Sequence, residues 1–543
     1  MIQHKAIVYF PSIAFLFVCS SLYAQPPADT TSKKKIIILN AERLNYQKID
    51  SAEFQSAAGN VKIRQDSTLF YTDSVVLNKT KNTLEAFGHV HINDNDSIHT
   101  YSDYLRYFGN EKKAYLKGNV KLTDGKGTLT TPDLDYDLNT HIGIYTKNGK
   151  VVSEKTVLTS KEGYYYGETK DVYFKKDVVL VNPDYTITTD TLLFNTYTNV
   201  ATFTVPTIIN SGDKKKIFTS DGYYDLAKKK AYFGKRPHIE DSTTMLDADI
   251  VASNDSTRDS EASGHVIYRD TAQGVTIIAN NLKSKGEESS LLATQKPVMI
   301  IKQDKDSTFL AADTLFSGRL STLKKFRNIP AILDSLPATD PVVLSDSARA
   351  KQDSARDRFV EAYRNVKIFS DSLQAVGDSL FYSSEDSAFR LFKDPVVWSR
   401  ESQISGDTIY LFTLNKKPKR MYVFENALSV EKVGPEYYNQ VKGRTINGYF
   451  TNGELDSVRA KGNAESIYYA QDDSSKFISA NRATSDVIDM YFRERQADKV
   501  VFRSNVIGTA YPMRQANPFE MRLRSFKWLV DRRPKTKYEL FGN

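Results

Sequence analysis

Apolar and polar residues alternate over most of the chain: Val61 and Ile63 flank Lys62, Leu105 and Tyr107 flank Arg106, and Val120 and Leu122 flank Lys121. A period of two predicts strands with one dry face and one wet face. The alternation comes in groups. Residues 59–92 open on Gly59-Asn60-Val61-Lys62-Ile63 and close on Gly88-His89-Val90-His91-Ile92, and Gly118-Asn119-Val120-Lys121-Leu122 closes the next group. Between these ends lie a turn at Asp66-Ser67, an Asp-x-apolar step at Asp73-Ser74-Val75 and a polar turn over Asn78–Asn82. The step returns at Asp103, Asp190, Asp221, Asp249, Asp313, Asp378 and Asp407, with variants at Glu42, Asp133, Glu162 and Asn280. Asp-Ser pairs at 66, 96, 241, 306 and 371 keep the same register, each seven or eight residues ahead of its step.

A unit of about 30 residues suits two strands with their turns and is too small to bury a core alone, so units must stack. The expected fold class is all-β: an elongated β-jellyroll of stacked antiparallel strands built from ~30-residue repeats. Repeats are expected over 36–324 and again over 358–510. Residues 325–357 break the rhythm with three prolines and the run DSARAKQDSARDR, which predicts a polar insertion, helical near 346–358. From Tyr511 the pattern ends in a basic C-terminal tail or cap, 511–543. There Asn517-Pro518 predicts the start of a short helix reaching Val530, with Phe519, Leu523 and Phe526 on one face.

Residues 1–24 carry a basic start ending at Lys5, an apolar stretch from Ala6 to Val18 and a small residue at Ala24, the pattern of a secretory signal peptide cleaved after Ala24. Residues 25–35 read as a linker. Cys19 raises lipidation, against which stands the bulky Val18 before it. Cleavage after Ala24 removes the only cysteine, leaving neither thiol chemistry nor disulfides. No later stretch has 18 uninterrupted apolar residues. Aromatic residues make up 12% of the chain, with 32 Tyr, which favours strands. The net charge of +8 suits anionic ligands and is too small to argue for nucleic acid.

Candidate chemistry is sparse. Copies of the repeated Asp would lie two strands, or ~9.6 Å, apart, too far to share one ion, so a role in turns or bends is expected. His89 and His91 form an H-x-H with no third ligand in view. There is no nucleophile elbow, phosphate loop or zinc-protease helix motif, and Gly125-Lys126-Gly127 reads as a turn. No catalytic residue, metal or cofactor is expected, and the chain reads as something other than an enzyme.

The signal segment, the GNV-type return strands and the Asp-x-Leu-x-Tyr-like outgoing strands resemble the OstA-like (organic solvent tolerance-like) family, in a long multi-repeat version of its LptA type. The likeness is good over 36–320 and looser over 359–510. It implies a jellyroll of V-shaped strands whose apolar inner faces form a groove for the acyl chains of lipid A, at work in lipopolysaccharide transport in the periplasm. The groove candidates are Val61, Ile63, Val75, Leu77, Val90, Ile92, Leu105, Tyr107, Val120, Leu122, Leu192 and Phe194. Implied partners are lipopolysaccharide and other transport proteins joined by β-strand addition, or a second copy of the chain. The joint is expected at the first strand, Ile36, Ile37, Ile38 and Leu39, whose unpaired edge invites another strand. Lysines recur in turns, as at Lys79, Lys112, Lys215, Lys228 and Lys229, where they either meet lipid phosphates or keep sheet edges soluble. Two alternatives stay open: an envelope scaffold or glycan-binding stack with a filled core, and, less well supported, a polysaccharide-degrading solenoid. An outer-membrane barrel fits poorly with Lys-rich turns and polar outer faces.

Overall fold

The computed structural model describes residues 35–212, 214–302, 307–332, 357–414, 417–452, 454–472, 474, 476–493 and 496–542. The expected signal peptide, Cys19, nearly all of the linker, and the centre of the insertion with residues 346–356 of its helix lie outside the described residues. Two compact units divide the chain: one holds the residues up to Gly118 with Asp137–Asn139, the other Asn119–Tyr136 and the residues from Thr140 onward. Both are built of antiparallel strands, and the one α-helix among the described residues is a single turn, Leu320–Leu323.

In the first unit the logic of the repeat is clearest. The strand Ala52–Gln65 pairs with Thr68–Asn78 in two registers, Ala57↔Val75 on one side and Ile63↔Phe70 on the other, with a shift between Ala58 and Val61. The surplus residues are Gly59 and Asn60, whose φ values of +84° and +47° are left-handed. An extra residue in one strand bends it and strengthens its twist. The next return strand, Thr83–Asp94, bends in the same way at Gly88 and His89. Each long strand is therefore two short ones meeting at a corner.

The corner accounts for the periodic acid. Asp73 accepts a bond from His89 at 2.7 Å, and Glu42 accepts one from Asn60 at 2.7 Å. In the second unit Asp249 holds His265 at 2.7 Å, Asp313 holds Asn365 at 3.1 Å, and Asp486 holds Asn505 at 2.9 Å. The acid of one strand clasps the second residue of the neighbouring bulge. At Asn60, His89 and His265 the preceding residue is glycine, partly for room: a Cβ at Gly88 would lie 2.3 Å from Asp73 Oδ2, whereas Arg364 and Ser504 hold that place before Asn365 and Asn505. Small hydroxyls complete the corner. Thr72 donates toward the carbonyls of Phe87 and Gly88, both at 3.0 Å, and Thr131 toward that of Asn148 at 2.9 Å. They serve backbone acceptors that the bend removes from the ladder.

Bending gives each unit two arms, with the alternate apolar residues of both turned inward. In the first unit one arm contains 61–72 and 90–102 and the other 74–87 and 104–108. In the second unit the first arm contains 266–279, 298–302, 307–311, 366–377 and 396–405, and the second arm 281–294, 314–318, 359–363, 379–392, 408–414 and 417–424. Over 35–255 the outward positions mix polar residues with exposed apolar ones such as Val76, Tyr173 and Ile208. One outward row in the first unit is aromatic: His91 stacks on Tyr101 at 4.5 Å and on Tyr71 at 5.4 Å. Burial and the neighbouring His99 push the His91 imidazole below its ordinary pKa, whereas the bond to Asp73 raises that of His89.

Candidate functional site

The two arms are latched together in the first unit. Tyr107, from the second arm, donates its hydroxyl to Gln65 Oε1 of the first at 2.6 Å, and its ring lies 4.8 Å from Phe70. Lys112 reaches Asp66 at 2.7 Å across the arm tips. The second unit is closed the same way as far as Asp255. Tyr165 donates to Asp124 at 2.9 Å, Lys229 meets Asp184 at 2.9 Å, and Lys215 meets Asp255 at 3.2 Å. Burial pushes the Asp124 carboxyl up, but the N–H groups of Gly127 and Lys126, the Tyr165 hydroxyl and Lys170 outweigh it and hold the group below its usual pKa. Several turn lysines thus act as latches between arms.

All twelve groove candidates face inward and are buried, none more than 2% exposed. Over this part of the chain the inner face is a packed core. The open space lies further on. Between residues 268 and 421 the arms part around a cavity of about 500 Å³. Met299, Leu310 and Ile368 line it from the first arm, and Leu291, Leu380 and Leu391 from the second. Asp270, Gln273, Ser289, Arg358 and Ser370 make its margin polar. Burial pushes the Tyr268 hydroxyl up to about 12, so this lining residue is a neutral donor at any physiological pH. A space of this size lies within the ~300–1,000 Å³ of ordinary ligand pockets.

Both walls of the cavity are backed on their outer side. Behind the second arm, Leu320 of the single-turn helix packs with Phe359, Phe381 and Ile329. Arg327 pairs there with Glu361, and Asp386 pairs with the buried Arg390 while accepting the Ile332 N–H at 3.1 Å. The start of the insertion is therefore part of the wall.

Behind the first arm runs the C-terminal tail. The expected helix from Asn517 to Val530 is absent. One turn closes at Met521 N–H to Asn517 O, 2.9 Å, and two short 3-10 turns follow at Val530–Arg532 and Lys537–Leu540. The reason is a set of buried glutamines that take up the tail's backbone. Gln440 accepts from Leu523 N–H at 2.8 Å and donates to Met521 O at 3.0 Å. Gln403 does the same with Leu529 N–H at 2.7 Å and Lys527 O at 2.9 Å. Gln374 accepts from Arg533 Nε at 2.9 Å. A helix would keep those backbone groups for itself. Apolar tail residues follow the glutamines inward: Met521 and Leu523 join Leu428, Val430 and Ile467, Leu529 joins Val396 and Trp398, and Leu540 joins Val298 and Ala311.

The sequence carried a signal for this site that strand alternation alone does not use. Val396-Val397-Trp398 and Val298-Met299-Ile300-Ile301 are continuous apolar runs, the mark of strands dry on both faces. Val397 and Met299 face the cavity, while Val396, Trp398 and Val298 face the tail. The partner-edge candidates divide. Ile36 is buried and donates its N–H to Asn82 at 3.0 Å, whereas Ile37 and Leu39 are exposed, as are Leu44, Tyr46 and Ile49 of the next strand. Ile37–Asn40 and Arg43–Ile49 both pair with Ala52–Gln65 and, among the described residues, on that side alone. Among the described residues no three His, Cys, Asp or Glu are arranged to hold a metal, and no helix is long and apolar enough to cross a membrane.

Stacked antiparallel strands, bent at glycine-marked bulges and enclosing an apolar cavity, define a class of jellyroll-like β-protein. Residues 33–190 match the family model described as OstA-like protein. No curated protein matches the chain.

Proposed function

We propose that this protein is a non-catalytic periplasmic carrier that shields the acyl chains of lipopolysaccharide during transfer to the outer membrane. The observation that carries the reading is the apolar cavity between the arms over 268–421, in a chain whose first third is OstA-like. The corner clasp continues beyond the matched segment, at Asp313, Asp407 and Asp486, so the same repeat builds the strands around the cavity. Each methylene moved from water into such a space gains roughly 0.8 kcal/mol, enough to hold a chain without covalent chemistry. Lipid extracted from the purified protein should contain lipid A by mass spectrometry. Photo-crosslinkers at Leu310 or Leu391 should trap lipopolysaccharide, and the same probe at the outward Ile208 should not. Absence of lipid together with no trapping at the two cavity positions would favour the filled-core scaffold, a reading supported by the packed inner face over 35–255.

Partner docking belongs to the same reading. The exposed strand Ile37–Asn40 offers free backbone groups and apolar side chains to the edge strand of a transport partner or of a second copy. Ile37→Pro removes one edge donor and should weaken such assembly while the rest of the chain stays folded. Unchanged assembly, measured by light scattering or partner pull-down, places the joint elsewhere.

A further inference from the structure

The tail and the cavity are served by the same strands. Side chains alternate across a strand, so neighbouring residues of the first arm look in opposite directions. Val397 faces the cavity while Val396 and Trp398 face the tail; Met299 faces the cavity while Val298 packs near Leu540. One layer of backbone separates the two. Over 119–255 of the second unit, where outward side chains such as Tyr173, Val181 and Tyr223 stand exposed, the arms are latched and the inner face is filled. Where both outer faces are covered, over 290–421, the arms part.

We infer that docking of the tail holds the cavity open, so that tail docking and ligand occupancy favour each other. The inference rests on the carrier reading and adds its regulation. Without the tail, Val396, Trp398, Leu428 and Val430 would present an apolar outer face to water. Loss of the tail also frees the first arm from its outer anchor, and the apolar linings of the two arms then draw together, burying the surface that faces the cavity and closing the space between them. An occupied cavity resists this movement and keeps the outer face flat for the tail. Gln403 and Gln440, both 0% exposed, are the positioning residues: each fixes two backbone groups of the tail and touches no ligand. Coupling between two sites is reciprocal, so the factor by which the tail strengthens ligand binding is the factor by which ligand strengthens tail docking.

The test uses the whole chain and a fluorescent single-chain fatty-acid analogue. On the wild-type protein, saturating probe should slow tryptic cleavage at the exposed Arg524 and Lys527 about tenfold, for a coupling in the usual range. The double variant Gln403→Ala/Gln440→Ala, checked for native circular dichroism, should bind the probe about tenfold more weakly and lose the protection. A tail cut at the same rate with and without probe overturns the inference, as does a variant that releases its tail yet keeps full probe affinity. Either result leaves the carrier reading standing. A wild-type chain that binds no acyl probe at all sinks both.

Discussion

Trp398→Ala should cost about 3–5 kcal/mol, the range for emptying a large buried aromatic site. Trp398 is completely buried, packs with Val376, Val396 and Leu529, and donates its indole N–H to Gln403 at 3.3 Å. The substitution removes the ring from the contact between the first arm and the tail, and it also frees the amide that holds Leu529. The chain has two tryptophans, so the variant keeps only Trp528, which lies in the tail 5.5 Å from the Tyr438 ring. Its fluorescence then reports the tail alone. The expected result is a red shift of Trp528 emission at lower denaturant than the loss of strand signal by circular dichroism. A single coincident transition at the wild-type midpoint would show that the ring contributes little and that the tail is held by other contacts.

The second large effect is on binding. Leu310 and Leu391 line the cavity, one from each arm. Enlarging both, as Leu310→Trp/Leu391→Trp, should occupy the space without opening the core, because the added rings enter a void instead of packed neighbours. If four or five methylenes of an acyl chain are displaced, at roughly 0.8 kcal/mol each, affinity for the fatty-acid analogue falls by a factor on the order of 10²–10³. The melting temperature should change by no more than a few degrees. Ile208→Trp, on an outward face, serves as the control and should leave affinity unchanged. Equal affinity in the double variant would place the lipid site outside the cavity, whatever its lining.

Much of this protein follows from local rules. Alternation at Val61/Ile63 or Leu105/Tyr107 decides which side chains turn inward, because a strand has a period of two and water penalises the wrong choice. The Gly-Asn and Gly-His pairs fix the corners, since the first position needs a left-handed φ and space beside a neighbouring carboxylate. The Asp of each step was legible as a residue of bends, and its partner, one strand away at His89 or Asn365, follows from the register of the repeat. Sequence therefore determined the strands, their corners and the repeat.

It did not determine where the inner face is filled and where it is hollow. Val61, Leu77, Leu192 and Phe194 have the same pattern as Leu310 and Leu391, yet the first four are core and the last two line a cavity. The difference lies in how far apart the arms stand. That distance depends on cross-arm contacts such as Tyr107 with Gln65, and on what covers the outer faces, neither of which is encoded near the strands concerned. The tail shows the point most plainly. Asn517-Pro518 and the spacing of Phe519, Leu523 and Phe526 were a fair local case for a helix. Three glutamines 80 to 160 residues away in sequence overrode it by pairing with the tail's backbone and side chains. Local propensity is worth only tenths of a kcal/mol per residue, and burial of Met521, Leu523 and Leu529 against a distant sheet outweighs it. That burial exists only once the whole stack has formed, which is why tertiary structure alone decided the site.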